Sequence, residues 1–115
     1  MKSRKILFAI VLLVLMSTLS FAKDTDQARE NHQRITKRIA YLLQDQWGVD
    51  QAKVSGESLL KSDFGADYLD VMELIMALEE DFHIEITDEE WINITTVDSA
   101  AELIAYKMDH RYRRP

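Results

Sequence analysis

The chain opens on an unbroken apolar run. Ile6 to Met16 holds 11 consecutive nonpolar residues, preceded by the cations Lys2, Arg4 and Lys5. Ser17, Thr18, Leu19 and Ser20 follow, then Phe21, Ala22 and Lys23. A charged start, an apolar centre and a small-x-small end are the parts of a secretory signal, which places one at residues 1–22. The rival is an uncleaved short anchor, because residues 6–22 carry no charge and reach the short end of a spanning helix. Under both readings the basic start stays inside and the rest is exported, periplasmic or secreted. A membrane is a partner only if the leader is uncleaved.

Beyond residue 22 the apolar positions become periodic. Ile35, Ile39, Leu42, Leu43 and Trp47 recur at helical spacing with Arg34, Lys37, Arg38 and Gln44 between them. This predicts a first helix over 26–47, with a polar lead-in at 23–34 in which 24–32 is expected to fray. A loop over 50–65 follows, with apolar anchors at Val54, Leu59, Leu60 and Phe64. A second helix is expected from an Asp67 cap to about Phe82. A short third one is expected near 88–92, where Thr87 and Glu90 have capping-box spacing. A last helix should span about 97–109, with Val97, Ala101, Ile104 and Met108 on one side and Thr96 or Asp98 as cap. Gly48, Gly56 and Gly65 fall where helical patterns stop. The fold class is all-α: a four-helix bundle of three longer helices and one short, over 35–107, with a basic tail at 108–115.

The second helix is patterned on more than one face. Advancing about 100° per residue, Val71, Ile75, Leu78 and Phe82 form a core face. Asp70, Glu73, Ala77, Glu80 and Asp81 form an acidic face. Leu69, Met72 and Met76 lie beside the acids and off the core. An apolar strip edged by carboxylates suits a protein partner with a basic surface. The candidate partner-binding residues are therefore Leu69, Asp70, Met72, Glu73, Met76 and Glu80.

The stretch Asp63-Phe64-Gly65-Ala66-Asp67-Tyr68-Leu69-Asp70, with the helix that follows it, resembles the acyl carrier proteins. Ile84 to Glu90 and Ile94 to Val97 continue the resemblance, which covers about 35–107. It implies an acyl-carrier-like four-helix bundle with a long loop after the first helix. It also implies a serine between Asp67 and Leu69, whose hydroxyl takes phosphopantetheine and whose arm carries acyl groups on a thiol. Tyr68 stands there instead, with its oxygen a ring's length further from the backbone. The departure, together with the export leader, leads to the expectation that phosphopantetheine is absent and that the domain serves as a binding module. The alternatives are a working carrier modified at an atypical residue, and a module that sequesters an acyl chain or lipid between its helices.

Composition sharpens this picture. The 115 residues hold 14 Lys+Arg, 20 Asp+Glu and no cysteine, for a net charge of −6. The first 22 residues contain three cations and no acids, so the other 93 carry a net −9. That balance argues against nucleic acid, whose phosphates call for a basic surface. The missing cysteine excludes disulfides and a thiol nucleophile within the chain. His32, His83 and His110 share no ligand spacing, and no catalytic constellation is visible, so neither a metal nor an enzyme is expected.

Overall fold

The computed structural model describes residues 2–111, with side chains described at 4–16 and 25–111. Four α-helices appear in chain order: α1 (Lys2–Trp47), α2 (Tyr68–Phe82), α3 (Asp88–Trp91) and α4 (Val97–Arg111). A short 3-10 turn, Gln51–Lys53, sits in the loop after α1. Two compact units are distinguished, residues 1–31 and 32–115.

In the first unit the described side chains from Arg4 to Met16 are exposed, as are those from Thr25 to Glu30. Among the described residues no helix is long and apolar enough to cross a membrane. The expected fraying of the polar lead-in is not observed, because α1 is helical throughout. The reason is local: the segment before Gly48 contains neither glycine nor proline to interrupt the backbone hydrogen bonds. The expected end of the basic tail, 112–115, lies outside the described residues, and its start is still part of α4.

In the second unit α1, α2 and α4 each bury one face in a common core. α1 contributes Ile35, Ile39, Leu42 and Leu43, and α2 contributes Val71, Leu74, Ile75 and Leu78. α4 contributes Val97, Ala100, Ala101 and Ile104. Leu60 from the long loop and Ile86 and Ile94, which flank α3, close the core. α3 itself buries no residue fully. Its inclusion in the fold rests on those two isoleucines, on Trp91, which packs partly buried against the core, and on polar contacts. Among the loop anchors, Leu60 is buried, Val54 and Phe64 pack partly, and Leu59 remains 43% exposed.

The element ends follow from capping chemistry. Gly48 adopts φ 69°, turning the chain out of α1 while its amide still reaches the Gln44 carbonyl at 3.0 Å. Gly56 serves differently from a helix stop. Asp98 presses on it so closely that a Cβ there would lie 2.3 Å from the carboxylate. The loop and α4 are held by backbone bonds, Leu60 N to the Thr95 carbonyl and Val97 N to the Ser58 carbonyl, at 3.0 and 3.1 Å. Ser58 is itself buried and its hydroxyl accepts from Ser55 N at 2.9 Å. Thr96 caps α4, its hydroxyl accepting from Ser99 N at 3.0 Å.

α2 ends without a glycine. His83 takes the left-handed conformation at φ 52°, and its amide and that of Ile84 both return to the Glu79 carbonyl. Histidine is among the non-glycine residues that enter this region more readily. The freed carbonyls of Phe82 and His83 accept from the Arg111 guanidinium at 3.0 and 2.7 Å.

Candidate functional site

The site is built at the start of α2. Asp67 has extended backbone geometry and accepts from Asp70 N through its own carboxylate at 2.9 Å. Asp70 reciprocates, accepting from Asp67 N at 3.0 Å. Two amides that the first helical turn would leave unpaired are satisfied in this way. Asp70 therefore has a structural task besides any partner contact, and it is only partly exposed.

The other candidate residues lie along the helix. Leu69 is 65% and Met76 62% exposed, Met72 is half-buried between them, and Glu73 and Glu80 are exposed. Three- and four-residue spacings make Leu69, Met72, Glu73, Met76 and Glu80 neighbours on one helix surface. Large apolar side chains in water beside carboxylates form a surface whose burial would be favourable. Asp81, from the acidic face, is engaged elsewhere: the Arg38 guanidinium of α1 donates to it at 2.6 Å. That contact holds the guanidinium pKa above its ordinary value. Arg38 also lies over the Tyr41 ring at 4.9 Å.

Tyr68 is the first residue of α2 and is 53% exposed. Its ring stands edge-on to Trp91 of α3, centroids 5.0 Å apart. Both residues line a cleft of about 370 Å³ whose walls also include Leu59, Val71, Ile92 and Ile94. Ser62 and Lys61 line the same cleft. Sequence reasoning missed Ile92, which is 66% exposed at the end of α3. The aromatic pair was not legible either, because Tyr68 and Trp91 are 23 residues apart.

The histidines are separate. His32 pairs with Asp98 at 3.1 Å, His83 ends α2, and the His110 ring meets the Tyr106 carbonyl at 2.8 Å. Among the described residues no group of three or more His, Asp or Glu side chains is placed to hold a metal ion.

The hydroxyls at the cleft bear on phosphopantetheine, whose phosphate is esterified to a hydroxyl. Tyr68 and Ser62 are both exposed residues with hydroxyl groups on the same cleft. The residues present therefore fit the group chemically, although Tyr68 offers a phenol in place of an aliphatic alcohol.

Comparison with known proteins bears on the same point. Residues 37–104 match the family described as a phosphopantetheine attachment site. The chain is 50% identical over 72 residues to an acyl carrier protein of Buchnera aphidicola subsp. Baizongia pistaciae (strain Bp), covering 63% of this chain and 92% of that one. It resembles the solved acyl carrier protein of Thermotoga maritima with a TM-score of 0.64 at 25% identity, over 70% of this chain and 94% of that one. It resembles the acyl carrier protein of Enterococcus faecalis with a TM-score of 0.59 at 28% identity, over 66% and 96%. The expectation that phosphopantetheine is absent is corrected by these findings. It rested on one side chain, whereas the match is to a domain defined by attachment of that group, and the site still presents hydroxyl-bearing residues to solvent. The chain belongs to the phosphopantetheine attachment-site family, as an acyl-carrier-like all-helical domain.

Proposed function

We propose that this is an exported, non-catalytic carrier-family domain that docks a basic protein surface through α2. The observation that carries the reading is the strip of Leu69 and Met76, both well exposed, with Glu73 and Glu80 beside them. Burying the apolar side chains supplies affinity, and the carboxylates select and steer a cationic partner. The export component is supported by the charged, apolar and small-residue segments of 1–22. When phosphopantetheine is bound, its terminal thiol supplies acyl carriage, and the hydroxyl of Tyr68 or Ser62 would hold it.

Two measurements test this. Glu73→Lys combined with Glu80→Lys spares the Asp67–Asp70 cap, and should release the partners that the unaltered protein retains from an exported fraction. Retention of every partner by the double variant would remove α2 as the docking surface. Intact mass of the protein from its own cell reads leader removal and any phosphopantetheine adduct together. Peptide mapping then locates the adduct on Tyr68, Ser62 or another hydroxyl.

The cleft favours a second reading, in which the domain sequesters an acyl chain or lipid. Leu59, Val71, Trp91 and Ile94 give it apolar walls. Native mass spectrometry of the purified protein should then show co-purified lipid, and its loss on Ile92→Asp, a change at an exposed wall residue, would place the lipid in this cleft.

A further inference from the structure

α1 has an outer face that the site on α2 leaves unused. Between Glu30 and Asp45 the chain holds Arg34, Lys37 and Arg38 and no acid, although residues 23–115 carry a net −9. With Tyr41, these cations recur at three- and four-residue spacing, which puts them on one helix surface. All four residues are exposed, and Ile35, Ile39, Leu42 and Leu43 bury the other side of the helix. Arg38 is engaged within the chain, since it donates to Asp81 of α2 at 2.6 Å and lies over the Tyr41 ring. Among the described residues, Arg34 and Lys37 make no ion pair. Elsewhere Lys107 is held by Glu90, Arg111 by two carbonyls, and Lys53 and Lys61 stand apart in the loop. The concentrated basic surface of the domain is therefore this strip of α1.

The Arg38–Asp81 contact fixes where the strip lies. Asp81 belongs to the acidic face of α2 that carries Glu73 and Glu80, so a basic strip and an acidic strip run on neighbouring helices across one seam. Their contents are complementary. Tyr41 stands among cations, whereas Leu69 and Met76 stand among carboxylates. Thioether against aromatic ring is a favourable contact. Arg34 to Tyr41 and Glu73 to Glu80 are both seven-residue separations, about 10 Å along each helix.

We infer that the basic surface taken by α2 belongs to a second copy of this chain, with α1 of each copy lying on α2 of the other around a two-fold axis. The inference rests on the docking reading of α2 and names its partner. Two-fold symmetry satisfies both strips at once and closes the assembly. Tyr41 covers Leu69 and Met76, while Arg34 and Lys37 meet Glu73 and Glu80. The net negative charge repels two copies at a distance. It disfavours every approach that lacks these opposite-charge contacts, and so selects this one.

The test uses the protein purified from its own cell, as the parent and in three charge-reversed forms. Two alter the strips: Arg34→Glu with Lys37→Glu, and Glu73→Lys with Glu80→Lys. The third, Glu57→Lys with Glu102→Lys, is a control that reverses two exposed acids outside both strips. Sedimentation velocity over a dilution series reads the mass. Parent and control should sediment as dimers. Each strip variant alone should show a dissociation constant raised by about tenfold or more. An equimolar mixture of the two strip variants should recover a dimer, because acidic α1 then meets basic α2 and basic α1 meets acidic α2. Strip variants that dimerise like the parent, loss of the dimer in the control, or a mixture that stays monomeric would each overturn the inference. A parent that stays monomeric overturns it as well. If Glu73→Lys with Glu80→Lys still releases exported partners from that monomer, the docking reading stands and only the second copy is lost. If that monomer instead binds phosphatidylglycerol vesicles through Arg34 and Lys37, the basic strip belongs to a membrane surface and the dimer is rejected.

Discussion

At the scale of single residues, Asp67 and Asp70 show how one side chain can carry two tasks. Their reciprocal bonds fix the start of α2, on which the exposure of Tyr68 and Leu69 depends. Asp67→Ala removes one cap acceptor and should cost about 1 kcal/mol of stability, read as a lower urea midpoint with an unchanged slope. Asp70→Ala should cost a comparable amount, so loss of partner binding in that variant would mix a cap effect with a surface effect. Glu73 and Glu80 have no described contact that requires their charge for folding. Reversing them should leave the midpoint within about 0.5 kcal/mol of the parent. Tyr68 shows the limit of reading a residue alone. Its identity was visible in the sequence, but the sequence did not show that its ring stands against Trp91, with Ser62 on the same cleft.

At the scale of elements, the helices with strong apolar periodicity were the legible ones. Val71, Ile75 and Leu78 marked the inward face of α2, and Thr87 with Glu90 marked the start of α3 through a box that the structure contains. The harder features depended on partners distant in sequence. The termination of α2 at His83 relies on backbone geometry and on Arg111, 28 residues later. Glu90 likewise takes its character from Lys107. The Lys107 ammonium, followed by the Thr87 bonds, holds the Glu90 carboxyl below its ordinary pKa. Because the folded-state value is the lower one, Glu90 contributes its full stabilisation above the unfolded-state pKa. That contribution is lost as pH falls through the depressed folded value. Urea unfolding of the parent and of Glu90→Gln should therefore differ at neutral pH and converge in acid. The neutral difference should stay below about 1 kcal/mol, since both side chains of the pair are partly in water. A difference that persists undiminished at the acid end would assign the effect of the substitution to packing.

At the scale of the whole molecule, charge and apolar content are distributed unevenly along the chain. Among the described residues, all fifteen buried apolar side chains lie between Ile35 and Ile104. The segment with the densest apolar composition contributes none of them. The large apolar side chains from Ile6 to Met16 are each more than half exposed. Whole-chain composition therefore overstated the apolar content of the folded domain, and understated its negative charge. The periodic stretch from Ile35 onward was the better guide to the core, because it reports which side of a helix is inward. Folding should follow the same division. A chain restricted to residues 25–111 keeps every described core side chain and nearly three helical turns ahead of Ile35. It should melt cooperatively within about 3 °C of the full chain. Circular dichroism of the two proteins at equal concentration checks this. A much lower melting temperature for the shorter chain would mean that residues 1–24 stabilise the domain.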